Sequence, residues 1–548
     1  MHRPNRIQCH KMSRYDPIEK VWSGPAQPPL FNPQVSVGQM LLNMLERTPD
    51  KVTQIDGDTG RRMTCGEFRT RTIRIAQNLN GRGMTKGEMV IVACRNSENV
   101  APLVVALLTI GAQFVLMPMY FRLPELNHLL KKYQPKVVFC DEENCENFKI
   151  ACRNEVEREP VFFVTECERT DVHKMEALLQ ETGEEFKFQA SYLGDARSTV
   201  AVILSSSGTT NKPKGVRLSH AQVINWSCSY FQVNRGITFN FCPLSWGTGF
   251  FSIYQSIATS TPRLYTRYMF SENKFFEMLA KYPIETVNLQ PSYSKSVVCH
   301  PRCAEADFSS IKTWVVLGSL ASDLLRDKIE ALLPNGRTTN DYGLSECGLV
   351  IHDPMGRKAG ASGQLAPQIQ ARIINAAGLT VGVGQLGELQ LKKSDPFLGY
   401  FDEPEAMSSL ITEDGWLRTQ DCGYFDEEHY FYMSERKKDL LSYRNMLVIP
   451  SSLEWVIERI EGVKHTCVVG VPEDGWEASD LLTAVVVKEK DCKLTEDAIL
   501  AFVNGQVPDY KHLRGGVIFR DELPLGSTGK VLRDKVKELV LAMEAVKI

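Results

Sequence analysis

The chain has no dominant charge. Its 63 lysines and arginines face 66 aspartates and glutamates, a formal net charge of −3 over 548 residues. That balance sets up no field for a nucleic-acid backbone or an anionic membrane surface, so neither is expected as a partner. Zinc-type cysteine spacing is also missing. The 15 cysteines are scattered, and Cys140/Cys145 and Cys299/Cys303 lack both the two-residue spacing and the matching distal pair of a zinc site. They read as reduced, mostly buried thiols of an intracellular protein. The stretch MHRPNRIQCHKMSRY has no acid before Asp16 but also no apolar core, which argues against a secretory signal. AVKI at the other end is not a peroxisomal tripeptide. The expected location is the cytoplasm, with the peroxisome as the alternative despite that tail. No internal repeat or low-complexity segment interrupts the chain.

Charge is absent from one longer run, residues 99–121 (NVAPLVVALLTIGAQFVLMPMYF). It is long enough to span a bilayer. Pro102, Gly111, Gln113 and Pro118 divide it, however, and it reads better as a buried helix followed by a short buried strand. No transmembrane segment is expected.

What is present is alternation. MVIVAC, FVLMPM and KVVFCD read as strands, separated by helical APLVVALLTIG and LPELNHLLKKY. Strands spaced by helix-length segments imply parallel pairing with crossover helices. The pattern resumes with TVAVIL, a loop, and a helix opening after Ser219 as its N-cap. TVNLQP, TWVVLGS and TTNDYG are further strands, with ASDLLRDKIEALL as a helix. From residue 369 to 400 short strands with glycine turns (ARIIN, GELQLKK) suggest a small antiparallel or barrel-like section. A last unit begins near Glu435, where Ser451 and Glu454 form a capping-box pattern and CVVGVP and LLTAVVV are strands. A chain of this length needs at least two domains.

The loop after TVAVIL is SSSGTTNKPKG, Ser205 to Gly215. Small residues, hydroxyls, glycines and lysines suit a phosphate cradle built from backbone N–H groups. No glycine–lysine–hydroxyl run closes it, so it is not a Walker loop. At the carboxyl end of a strand and before a helix, it would lie where open α/β sheets bind ligands.

Five segments occur in a telling order: SSSGTTNKPKG, DYGLSE (341–346), GELQLKK with a later GY (387–400), TQD (419–421) with SERKKD (434–439), and LPLGSTGK (523–530). Together they resemble the AMP-forming adenylating superfamily of acyl- and aryl-CoA ligases and beetle luciferases. FDEEHYFYM followed by SERKKDLL is most similar to the insect luciferase-like acyl-CoA ligase branch. The resemblance runs from about residue 40 to the end. It implies an α/β fold in which a large N-terminal domain (1–434) holds two α/β sheet subdomains and a small β-barrel section. A small mobile α+β domain (435–548) follows.

The resemblance also implies ATP, Mg²⁺ and coenzyme A as cofactor and co-substrates, and a fatty or related apolar carboxylic acid as substrate. A carboxylate is a poor acyl donor, and conversion to an acyl-adenylate gives it a good leaving group. The protein must then hold a polyphosphate, align the carboxylate with the α-phosphorus and neutralise shifting charge. By resemblance Ser206, Ser207, Gly208, Thr209 and Thr210 grip phosphate oxygens, with Lys214 adding positive charge. Tyr342 stacks on adenine, Ser345 touches the α-phosphate and Glu346 ligates magnesium. Asp421 holds the ribose hydroxyls beside Arg436, and Lys530 bridges carboxylate and α-phosphate. Glu435 occupies the hinge, where Asp or Lys is usual.

Four departures stand out. Asn211 replaces the central glycine of the phosphate loop, and asparagine tolerates positive φ better than most residues. In PLSWGTGF (243–250), Ser245 and Trp246 take the place of a histidine; Trp246 with Phe250 is assigned to the acyl pocket or to core packing. Ser442 replaces a lysine and Asn445 a glycine, in a segment that faces the active site during thioester formation. The loss of a positioned acid–base or electrostatic group commonly costs about 10²–10⁴ in rate. The adenylation set is intact and the thioester set altered, so a degenerate homologue that binds nucleotide or acyl-adenylate with little CoA transfer is the alternative. Light emission is not expected.

Overall fold

The computed structural model describes residues 13–26, 32, 34–119, 121–167, 169, 171–206, 214–230, 236–353, 357–395, 397–444, 446–473, 479–490, 492–526 and 530–545. Two α/β sheets lie side by side. One runs in the order Lys214–Ser219, Val200–Ser206, Gln113–Leu116, Met89–Ala93, Val137–Asp141, Val161–Thr165, His173–Lys174. From Val200–Ser206 to His173–Lys174 its neighbours are parallel. The other contains the parallel set Arg337–Leu344, Thr313–Leu317, Ile284–Leu289, Ile237–Asn240, Arg263–Tyr265 and Val52–Asp56, with antiparallel strands at its ends.

Most of the charge-free run is buried core. Helix Val100–Ile110 is buried along its whole length, ends at Gly111 in the left-handed region, and leads into strand Gln113–Leu116. Among the described residues no helix is long and apolar enough to cross a membrane. The described cysteines are unpaired and buried, apart from exposed Cys299 and half-buried Cys492.

Three sequence expectations are corrected. The phosphate loop does not join a strand to a helix. Val200–Ser206 pairs antiparallel with Lys214–Ser219, bringing Ser206 opposite Lys214. Helix His220–Tyr230 starts only after that second strand, where Ser219 Oγ accepts the N–H of Gln222 at 3.0 Å. The missed signal was period two, for Val216 and Leu218 alternate with the half-exposed Arg217.

The barrel section is an open sheet. Its path is Arg14–Asp16, Val21–Ser23, Ile369–Ile374, Gly387–Lys393, Leu417–Phe425, Phe431–Arg436, and no ladder joins the two end strands among the described residues. Six strands in the path fall short of the roughly eight that close around a filled interior. Trp22 stacks on Phe425 instead, so an N-terminal hairpin caps the sheet.

The capping box at Ser451 does not form. Ile449 precedes helix Pro450–Ile457, and Ser451 Oγ donates to the carbonyl of Ser434. Glu454 accepts the N–H of Val468 at 2.7 Å and pairs with Arg533. Residues 441–540 form apolar cores of their own around an antiparallel pair, Val463–Pro472 with Asp480–Lys488, and a parallel strand Gly516–Arg520.

Candidate active site

Register alone brings two of the expected residues together. Asp421 in Leu417–Phe425 lies opposite Arg436 in Phe431–Arg436, and the Arg436 Nε is 3.4 Å from the carboxylate. Gln420 has a φ of 62° and the register shifts between Asp421 and Gly423, a bulge that redirects the carboxylate. Asp421 is 5% exposed. The Tyr342 hydroxyl donates to its other oxygen at 2.6 Å. Burial raises the Asp421 pKa, opposed by Arg436, the Tyr342 hydroxyl and Lys530. Tyr342 is held firmly protonated, by burial first and by the Asp421 charge second.

Lys530 reaches this pair from the C-terminal unit. A side chain on Gly318 would begin 3.8 Å from the Lys530 Cε. Gly318 has a φ of 94°, a conformation that favours glycine. The lysine is exposed at the cleft edge, yet enough protein surrounds its ammonium to pull its pKa down to about 8. Burial is the main cause and repulsion from Arg436 the second, partly offset by Asp421.

A second cluster gathers at Lys214, where the strand paired with Val200–Ser206 begins. The Glu346 carboxylate accepts the Tyr400 hydroxyl at 2.7 Å, and the Lys214 ammonium lies 4.9 Å from the Tyr400 ring centroid. Gln222 Nε2 donates to the Glu346 carbonyl. Tyr400 was visible only as the tyrosine of the GY pair, and its partnership with Glu346 had no local signal. Glu346 is a half-buried hard oxygen donor with one oxygen steadied by a phenol. That fits Mg²⁺ bound through a single carboxylate together with substrate phosphates. Ser206 ends its strand, while Ser207, Gly208, Thr209, Thr210 and Asn211 lie outside the described residues.

A cavity of about 210 Å³ opens beside Gly318 and Ser345. Helix Gly247–Thr259 supplies Thr248, Phe251, Ser252 and Gln255, spaced to share one helical face. Strand Thr313–Leu317 turns Thr313, Val315 and Leu317 toward it, while Trp314 and Val316 enter the core behind. Ser345 lines its mouth. Trp246 and Phe250 are not among the lining residues; Phe250 packs into the main core. The lining also includes Asp341 and His352, which sequence reading did not single out.

The surroundings of Glu435 are polar and buried. Glu435 sits 3.5 Å from Arg533, and burial raises its carboxyl pKa to about 7. Lys295 pairs with Glu458 at 3.0 Å, tying the parallel-sheet region to helix Pro450–Ile457 and its following turn. Ser442 lies in the pair Leu441–Tyr443 with Met446–Val448, where its N–H donates to Asp480 at 3.1 Å. Asn445 lies outside the described residues.

The AMP-binding enzyme family model matches residues 43–401, and the AMP-binding enzyme C-terminal domain model matches residues 452–530. The chain is 30% identical to luciferin 4-monooxygenase of Luciola mingrelica over 510 residues, 89% of this chain and 91% of that protein. It is 26% identical to probable 4-coumarate–CoA ligase 3 of Dictyostelium discoideum over 541 residues, 93% and 96% of the two chains. Among solved structures, the luciferase-like enzyme from the nonluminescent Zophobas morio mealworm aligns with a TM-score of 0.70 at 26% identity. That alignment covers 76% of this chain and 98% of the other.

Proposed function

The chain belongs to the AMP-binding enzyme family, and from that premise we propose that it is an ATP-dependent acid–CoA ligase acting on a fatty or related apolar acid. The observation that carries this reading is the convergence of Lys530, Asp421 and Arg436, with Lys530 next to Gly318 of the cavity wall. In the first half-reaction a carboxylate oxygen attacks the α-phosphorus of ATP and pyrophosphate leaves. Asp421 accepts ribose hydroxyls, Lys530 draws carboxylate and α-phosphate together, and Lys214 meets the departing phosphates. Glu346 would hold Mg²⁺, which supplies neutralisation of phosphate charge. Phe251, Leu317 and Leu344 offer apolar surface to the acid. In the second half-reaction the CoA thiol attacks the acyl carbon and AMP leaves. Glu435 is the proposed pivot, dividing a domain of residues 1–434 from one of residues 435–548.

A second reading, adenylate formation with little CoA transfer, has one observation in its favour. Cations near Ser442 in sequence are engaged elsewhere: Arg444 with Glu473 at 2.7 Å, and Lys438 with Asp534 at 2.7 Å. Neither replaces the missing lysine in this arrangement. The test is a panel of acids with AMP, pyrophosphate and acyl-CoA recorded separately. Acid-dependent pyrophosphate exchange with thioester supports the ligase, and exchange without thioester supports the second reading. No exchange with any acid removes the ligase and leaves only a degenerate homologue that binds nucleotide or acyl-adenylate without turnover.

A further inference from the structure

The wall of the acid cavity is not uniformly apolar. Asp341 and His352 line it and are joined by a hydrogen bond of 2.7 Å between the carboxylate and Nδ1. Their side chains are 9% and 13% exposed. Two further lining groups have no hydrogen-bond partner among the described residues: the Thr339 hydroxyl, on a residue 1% exposed, and the Trp226 indole N–H, on a residue 4% exposed. An unpaired buried polar group is costly, so such groups in a ligand cavity point to a polar ligand atom.

The backbone fixes where that atom would lie. Gly343, Asp341 and Thr339 follow at two-residue steps along strand Arg337–Leu344, so all three face the cavity. Gly318 marks the end near Lys530, where the carboxylate would react. Asp341 lies opposite Leu317, the residue before Gly318, and Thr339 lies opposite Val315. At about 3.3 Å per residue these levels stand roughly 3 Å and 10 Å deeper than Gly318. An extended chain advances roughly 1.2 Å per bond, so a hydroxyl about six bonds from the carboxylate would reach between the Asp341 and Thr339 levels. The support behind is rigid. Arg326 and Asp353 form a fully buried ion pair of 2.9 Å, and Asp353 directly follows His352. Glu330 holds Thr338, next to Thr339, through its N–H and its hydroxyl at 3.1 and 2.6 Å.

Building on the adenylation reading above, we propose that the acid this protein activates carries a hydroxyl remote from its carboxylate, and that Asp341, oriented by His352, selects it together with Thr339 and Trp226. A hydroxyl is the matching group because it donates to the Asp341 carboxylate and also accepts from an N–H or O–H. An unsubstituted chain would leave the Thr339 hydroxyl and the Trp226 N–H unpaired and Asp341 with His352 alone. Sites built to bind a substrate hydroxyl reject the analogue without it by far more than the small penalty that an apolar pocket imposes on a missing methylene. The volume of about 210 Å³ lies below the roughly 300–1,000 Å³ of pockets for drug-sized ligands, which suits a compact acid.

The test pairs hexanoate with omega-hydroxyhexanoate on the full chain, reading binding by calorimetry and turnover by acid-dependent pyrophosphate exchange. The hydroxy acid should bind at least tenfold tighter and have at least a tenfold higher kcat/KM. Asp341→Asn and Thr339→Val should each shrink that ratio at least threefold. The wild-type comparison stands even if a variant misfolds. Equal or weaker binding of the hydroxy acid overturns the selection, whatever the exchange assay gives. A binding preference without exchange for any acid overturns adenylation and leaves the selection standing.

Discussion

Tyr342 and Asp421, 79 positions apart, meet through a 2.6 Å hydrogen bond that fixes one oxygen of a buried carboxylate. One strand belongs to the parallel sheet and the other to the open antiparallel sheet, so the bond ties two layers at the site. Tyr342 stays protonated because burial and the Asp421 charge both oppose its ionisation.

Removing that carboxylate should hurt nucleotide binding more than removing the phenol. Asp421→Ala leaves the Tyr342 hydroxyl without an acceptor and deletes the proposed ribose contact, a loss of about 1–3 kcal/mol. The KM for ATP in pyrophosphate exchange should rise about ten- to hundredfold, since 1.4 kcal/mol is tenfold. Tyr342→Phe should raise it by less than about tenfold.

Lys530 predicts a pH profile. Its pKa is lowered to about 8, so the ammonium is present below that pH and lost above it. Adenylation should hold steady on the acid side and fall with a one-proton limb near pH 8. Lys530→Ala should lower exchange by about 10²–10⁴ and abolish the limb, with ATP affinity changed far less. A limb that persists in the variant would assign the titration to another group.

Glu435 predicts the pH dependence of stability. Its folded pKa is raised to about 7 from a reference of 4.5. Between those values the folded chain binds more proton than the unfolded chain, so this residue's contribution falls as pH rises through the window. Glu435→Gln removes the buried charge. Its melting temperature should exceed that of wild type at pH 8 by more than at pH 5, measured by calorimetry, while Arg533 keeps its pairing with Glu454.

Gly318→Ala should impair chemistry more than folding. A side chain there meets a φ of 94° and lies 3.3 Å from Gln290 Cγ as well as 3.8 Å from Lys530 Cε. The backbone strain is about 1–3 kcal/mol. Exchange should fall at least about tenfold through the backbone shift that φ and the 3.3 Å contact with Gln290 force beside Lys530, since a misplacement of about 1 Å costs on the order of 10²-fold. Equal activity in the variant would show that Lys530 does not need this approach.

Much of the fold was legible because local period and turn chemistry are written residue by residue. Leu123–Tyr133, Val137–Asp141 and Asp323–Leu332 follow their apolar patterns closely. Lys214–Ser219 was missed because six residues of period two stood beside a loop whose composition dominated the reading. Ser451 and Glu454 had capping-box spacing, but Glu454 gained more from Arg533 and the Val468 N–H than from its own helix end.

The sequence by itself determined the family chemistry, because loop, tyrosine, carboxylate and lysine motifs occur in one order along the chain. It also determined the strands and helices that carry them. Only the tertiary structure decided which of these residues meet. Tyr400 reaches Glu346, Arg436 faces Asp421 and His352 holds Asp341 through strand register and layer packing, which no local pattern encodes. The same packing left Thr339 and Trp226 unpaired inside the cavity, although in sequence both look like ordinary core residues. A side chain's chemistry is local, but what it lacks depends on everything folded around it.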